Sequence, residues 1–332
     1  MEALMNRKYL AFSLILALCL LLLSGCSPSP TAVTVGGRKV DASEYAFYLS
    51  YNRISVGEAS GTILYDEEDT AAAKAAALEQ IVTNEVVRLK CEEFGLELTE
   101  EQRETLARNK EYLVESLGGT AAYLEYLNQS VLTDRAYDKL QENDYYAQLL
   151  YDHMKADSEA YFTDEALRRY FAEHYATAKY IYISLLDDDG QRLDKEVRDN
   201  LLETAISLQE QALLPDASFE ALMTEHNQDL TMTTEGIVVG ELESRSIEYL
   251  GTLFNLEENA VSSVITTSDG YYILKRCPVP ASYYDEHQTD IFLAACDDRF
   301  GDSMEAWKTE YTVTVSKVVD KMDLTNLSEF VK

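Results

Sequence analysis

The sequence predicts an α+β fold, in which a largely helical domain built from N- and C-terminal segments carries an inserted α/β unit. Three observations predict it. Only 14 Gly and 5 Pro occur in 332 residues, which favours long helices over a loop-rich sandwich. From Ala71 to Lys155 apolar residues recur at helical spacing. From Lys179 that pattern gives way to short β-rich apolar runs alternating with helices, and helical spacing returns after Pro280.

The elements follow in order. From Thr34, TVGGRKVDASEYAFYLSY reads as a short strand, a Gly36-Gly37 turn, a second strand, and a helix capped by Asp41 with Glu44 three positions on. Ala71–Phe94 is a long helix with Leu78, Ile81, Val82 and Val86 on one face, stopped by Gly95. Thr99 and Gln102 open the next helix as a capping box. Helical patterns then cover Thr120–Leu127, Leu132–Lys155 and Thr163–Phe171; tyrosines at helical spacing, such as Tyr137, Tyr145 and Tyr151, read as packing residues. Lys179–Leu186 (KYIYISLL) is a strand, followed by the acidic turn Asp187–Gly190. Asp194–Leu214 is an amphipathic helix with Val197, Leu201, Ala205 and Leu208 on one stripe, and Ser218–Glu225 is another helix. Gly236–Leu242 is strand-like, Ile247–Phe254 a short helix and Gly270–Arg276 a strand; a helix over Asp290–Trp307 and a strand over Tyr311–Val318 complete the chain.

Charge narrows the function. With 28 Lys+Arg against 59 Asp+Glu, the net charge of −31 would repel a phosphate backbone, so nucleic acid is excluded as a partner. The chain is nonetheless no disordered acidic tail, because 46% of it is hydrophobic and 23 residues are Tyr. At the N-terminus Arg7 and Lys8 precede an apolar run from Tyr9 to Leu23. That run is shorter than the ~20 residues a membrane-spanning helix needs, and reads as a secretory signal. Leu23-Ser24-Gly25-Cys26 resembles the lipobox of bacterial lipoproteins, which implies a leader over 1–25, lipid on Cys26, and a stalk over 26–32 containing Ser27-Pro28-Ser29-Pro30. Losing Glu2, Arg7 and Lys8 leaves −32, so a lipid at Cys26 would hold the chain on an anionic membrane without polybasic help. The acidic surface would keep the chain soluble there and favour cationic clients. Cys91, Cys277 and Cys296 form no disulfide framework, and neither they nor the scattered histidines have metal-ligand spacing.

Four stretches in order resemble the parvulin family of peptidyl-prolyl isomerases. AKYIYI at Ala178–Ile183 is similar to that family's opening strand, and Asn227-Gln228-Asp229 stands where the family has Ser-x-Asp or Ser-x-Cys. GIVVG at Gly236–Gly240 keeps the outer glycines of Gly-Gly-Asp-Leu-Gly. Tyr249–Lys275 runs in register with Phe-(x)4-Phe-x-Leu…Gly-Tyr-His-Ile-Ile-Lys. The flanks, VGGRKVDASEYAFYL and LEQIVTNEVVRLKCEEFGLELTEEQ, resemble the SurA and PrsA foldases. The resemblance implies a helical chaperone domain over 33–176, a parvulin-like domain over 177–277, and a C-terminal helix and strand over 278–332 returning to the chaperone domain. A solute-binding lipoprotein would need repeated βα units, whereas residues 67–175 read as almost continuously helical.

Rotating an X–Pro bond faces a barrier of ~20 kcal/mol because amide resonance is lost on the way. It needs no cofactor, only an apolar pocket for the ring, exclusion of water, and hydrogen bonds that favour the twisted amide. By resemblance, Val239, Arg245 and Tyr249 take the pocket positions and Phe254 packs behind them, while Asp229 takes the polar position. Both family histidines are replaced, by Tyr180 and Tyr272, so a Tyr180–Asp229–Tyr272 network is the catalytic candidate. A guanidinium in an apolar pocket must be paired or turned to solvent, toward Glu243 or Glu248. His174, out of register with the family histidine, reads as solvated. Two readings stay open: an isomerase with an altered network, and a parvulin-like fold kept for binding peptides. Both imply an extracytoplasmic chaperone whose partners are unfolded secreted polypeptides, bound in a cleft of the helical domain lined by apolar and tyrosine side chains.

Overall fold

A computed structural model describes residues 29–60 and 67–331. The expected leader and Cys26 lie outside the described residues. Among the described residues no helix is long and apolar enough to cross a membrane. The chain divides into two compact units, one running to His153 and resuming at Ser303, the other Met154–Asp302.

In the first unit β1 (Thr31–Val35) and β2 (Arg38–Asp41) pair antiparallel across Gly36-Gly37, both at positive φ as so tight a turn demands. The C-terminal strand β7 (Val313–Val315) pairs with the other edge of β1, so the sheet order is β2-β1-β7. Asp41 Oδ1 caps α1 (Ala42–Ser60) by accepting from the backbone of Ser43 and Glu44, each at 3.0 Å. Helix α2 (Glu67–Glu93) buries Ile81, Val82 and Val86 and ends where Gly95 takes a left-handed conformation. Thr99 and Gln102 form both bonds of a capping box at the start of α3 (Glu100–Ser116). Helices α4 (Thr120–Gln129) and α5 (Asp134–Tyr161) follow, the latter continuing six residues beyond its expected end.

The first unit also contains a buried ionic cluster. Lys139 Nζ lies 2.8 Å from Glu44 Oε1 and contacts Glu85, whose other oxygen is held by Arg38 at 2.9 Å. Burial pushes the Glu44 carboxyl above its ordinary pKa, with Lys139 opposing. Glu44 therefore does not close a capping box on α1; a charge across the fold claims it.

The second unit opens with α6 (Asp164–His174), which runs directly into β3 (Tyr175–Ser184). Helices α7 (Lys195–Ala212) and α8 (Phe219–His226) lead to β4 (Ile237–Gly240) and the short α9 (Glu241–Arg245). Two 3-10 turns, at Glu248–Leu250 and Leu253–Asn255, replace the single helix expected over Ile247–Phe254. A two-residue strand β5 (Ile265–Thr266), invisible to pattern, precedes β6 (Gly270–Cys277). The antiparallel sheet has the order β4-β3-β6-β5 and is described wholly within residues 175–277. The compact unit is wider than 177–277 because α6, α10 (Ala281–Glu286) and α11 (Gln288–Glu310) add a core of their own, with Leu167, Phe171, Tyr284 and Ile291 buried. On α7, Ala205 and Leu208 are buried, but Val197 is 44% exposed and does not belong to the apolar stripe.

Candidate functional site

The pairing of β3 with β6 sorts the tyrosines. Tyr182 stands opposite Tyr272, Tyr180 opposite Leu274, and Ile183 opposite Tyr271. Opposed residues share a face and alternate along the strand, so Tyr180, Tyr182 and Tyr272 lie on one side of the sheet. Tyr271 lies on the other, where its hydroxyl donates to Arg198 O of α7.

The segment after α8 docks along the stretch of β3 that lies beyond its pairing with β4. Asn227 Oδ1 accepts from Tyr182 N at 2.7 Å, Gln228 N donates to Tyr182 O, and Gln228 Oε1 accepts from Ser184 N at 2.7 Å. This docking brings Asp229 to the tyrosine face, where its Oδ2 accepts the Tyr180 hydroxyl at 2.5 Å. The other carboxylate oxygen accepts both the backbone N–H and the hydroxyl of Thr231. Burial works to raise the Asp229 pKa, but the bonds from Thr231 and Tyr180 outweigh it and hold the carboxyl below its ordinary value. Tyr180 is driven the opposite way, by burial and then by the Asp229 bond, and stays protonated.

Tyr272 does not complete a Tyr180–Asp229–Tyr272 network. Its hydroxyl donates to Asp269 Oδ2 at 3.2 Å, a partner on the turn entering its own strand. The rings do meet: Tyr249 stacks on Tyr272 with centroids 4.2 Å apart and planes 3° from parallel, and Tyr180 packs edge-on to both. Such aromatic pairs contribute about 0.5–1.5 kcal/mol each beyond burial.

The remaining positions are placed as follows. Val239 is buried in the core on this face of the sheet. Phe254 is partly buried against the same core, with the Arg276 guanidinium 5.2 Å from its ring centre. Arg245 is 65% exposed at its side chain and pairs with Glu241 Oε1 at 2.7 Å, so the guanidinium is turned to solvent, and its partner is neither Glu243 nor Glu248. Four residues along a helix is the spacing that brings the two together. His174 is not merely solvated: Nδ1 lies 2.9 Å from Glu241 Oε2 and the ring stacks on Tyr170 at 4.5 Å. Residues that sequence reading missed are Asp269 and Tyr182; the one available signal was an acidic residue in the turn before Gly270.

A hydroxyl has one hydrogen to donate. At Tyr180 it is given to Asp229, and at Tyr272 to Asp269. Neither has a proton left to stabilise a twisting amide unless its carboxylate partner first lets go.

No protein-family profile matches this chain. No curated protein matches it either. Among solved structures it is similar to the foldase PrsA of Streptococcus pneumoniae, at 21% identity over 70% of this chain and 80% of that one, with a TM-score of 0.30. It is also similar to the PrsA foldase of Lactococcus lactis, at 16% identity over 92% of this chain and 100% of that one, with a TM-score of 0.28. The peptidylprolyl isomerase PrsA of Bacillus anthracis is similar at 16% identity over 70% and 95%, with a TM-score of 0.29.

Proposed function

We propose that this protein is an extracytoplasmic foldase or chaperone, tethered through lipid on Cys26, that binds unfolded secreted polypeptides. Its second unit acts as a parvulin-like domain with an altered active site. One observation supports this reading above the others: Tyr180, Asp229, Tyr249 and Tyr272, four positions singled out by sequence resemblance alone, meet on one sheet face, with Asp229 ionised and bonded to Tyr180 at 2.5 Å. Tyr180 and Tyr272 are nearly buried, with Tyr182 and Tyr249 only partly covered beside them, and the Tyr180 and Tyr272 hydroxyl protons are committed to carboxylates. The committed protons favour the non-catalytic form of the reading, in which the domain holds peptides without turning their prolyl bonds.

The test is stoichiometric suppression of aggregation of a denatured secreted protein, unchanged by Tyr272→Phe. Absence of suppression at equimolar protein overturns the reading. NMR exchange on an X–Pro peptide separates its two forms. A rate equal to buffer at micromolar protein is the expected result, and a rate well above buffer that Asp229→Asn abolishes establishes the isomerase instead. Cys26→Ser should release the chain from the cell into the medium; retention would remove the lipid anchor from the proposal. Salt-dependent preference for a basic over an acidic client would give the net charge of −31 a role in steering.

A further inference from the structure

The first unit carries a groove of about 450 Å³ between α1, α2, α4 and α5. Phe47 and Tyr51 of α1, Tyr126 of α4, and Tyr137 and Leu140 of α5 form its apolar walls. Tyr51 is 60% and Tyr126 44% exposed. Beneath them lie side-chain amides. The Tyr48 hydroxyl accepts from Asn84 Nδ2 at 2.8 Å and Asn143 Nδ2 at 3.2 Å, and Asn143 Oδ1 accepts from Arg88 Nε at 3.0 Å. Gln80 Oε1 accepts from Asn52 Nδ2 at 2.9 Å.

Gln80 and Asn84 are thus each fixed at one end by the protein, and Asn143 at both. Among the described residues no bond is made by the Asn84 side-chain oxygen, by Gln80 Nε2, or by the amide of Gln141, all of which line the groove. Of thirteen lining residues only Asp144 is acidic or basic in type. Three other grooves of the same unit each carry four or five acidic or basic residues. In so acidic a chain, an uncharged, amide-floored, tyrosine-walled groove selects by chemistry and not by field.

We propose that this groove binds an uncharged, aromatic-bearing segment of an unfolded polypeptide in extended form. The proposal rests on the foldase reading and names the class of client segment that the helical unit takes. Free amide ends need backbone N–H and C=O groups that are themselves unpaired, and a polypeptide offers those only outside its own helices and sheets. The groove would therefore tell unfolded chain from folded. Tyr51 and Tyr126 supply broad amphipathic contact at low cost in side-chain entropy. Among the lining side chains, a carboxylate or ammonium entering the same space would meet only Asp144 as a charged partner.

Three proline-free peptides test this on the full chain: a neutral Gly/Ser/Tyr/Phe peptide, its backbone N-methylated analogue, and an analogue with Asp in place of Ser. The neutral peptide should bind, and both analogues should bind about tenfold more weakly. Because both side chains are well exposed, Tyr51→Ser with Tyr126→Ser should keep the circular dichroism spectrum and weaken the neutral peptide about tenfold; Asn84→Ala provides a second variant aimed at the floor. Equal binding of the three peptides, or unchanged binding by both variants, overturns the proposal. If the double variant still suppresses aggregation and the peptides bind equally, the groove assignment fails while the foldase reading stands. If wild-type protein binds the neutral peptide selectively but never suppresses aggregation, the foldase reading fails and the groove remains a peptide site.

Discussion

Both units gather tyrosines on one face, yet the two sets are held in different ways: Tyr180 and Tyr272 are nearly buried, whereas Tyr51 and Tyr126 are exposed. In the second unit Tyr180, Tyr182 and Tyr272 spend their hydroxyl protons on Asp229, the backbone of Asp269, and its carboxylate. In the first unit the exposed Tyr51 and Tyr126 line a groove in which Gln80, Asn84 and Gln141 keep amide groups unbonded among the described residues. The lesson is that a tyrosine-rich surface is not one kind of surface. When the hydroxyl is satisfied internally, the residue becomes wall and scaffold. When it is left to solvent, the residue offers both a ring and a polar handle to a ligand.

The largest effect is expected at the ionic cluster of the first unit. Lys139→Met removes the cation between Glu44 and Glu85, which are almost wholly buried at their side chains, and leaves Glu85 with Arg38 alone. It should cost about 3 kcal/mol in chemical denaturation, because buried charge is left uncompensated. A cost below about 1 kcal/mol would mean that the cluster is well hydrated in solution. Next in size, Asp229→Ala strands the buried Tyr180 hydroxyl and should cost about 1–3 kcal/mol. Tyr272→Phe gives up only a 3.2 Å bond and should cost about 1 kcal/mol or less. If those two costs prove equal, Asp229 is no more central than Asp269.

Acid titration sharpens the comparison because its signs differ. Glu220 of α8, held by Lys179 and then by Lys275, has its pKa lowered to about 2. Its contribution is complete above the ordinary value of 4.5 and is lost as pH falls toward 2. Glu44, raised by burial, contributes the other way: its share is complete below the ordinary value and is lost as pH rises through the folded one. Between pH 3 and 7, thermal unfolding should therefore move against Glu220→Gln, relative to wild type, as pH rises, and in favour of Glu44→Gln. Matching slopes would show that the two carboxylates are not distinguished by their surroundings. The smallest effect belongs to Arg245→Met. Its pair with Glu241 is exposed to solvent and screened there, so stability should hardly change. A gain in X–Pro exchange on making this change would show that the guanidinium guards the pocket position.

What the sequence by itself determined were features written in local chemistry. The Gly36-Gly37 turn, the capping box at Thr99 and Gln102, the left-handed Gly95 and the long α2 each depend on residues a few positions apart, and local rules sufficed for them. Resemblance also pointed to Tyr180 and Asp229, which the fold joins across 49 residues of chain. Tertiary structure decided the partners. Tyr272 turns to Asp269, three positions back at the entry to its own strand. Arg245 turns to Glu241 because one helical turn brings them together, and Glu44 abandons its cap for Lys139, 95 residues away. The groove was least legible, since Phe47, Asn84, Tyr126 and Gln141 share no local pattern and converge only when four helices pack. Periodicity and caps reside in neighbouring residues; hydrogen-bond partners and cavities are settled by which distant groups burial forces together.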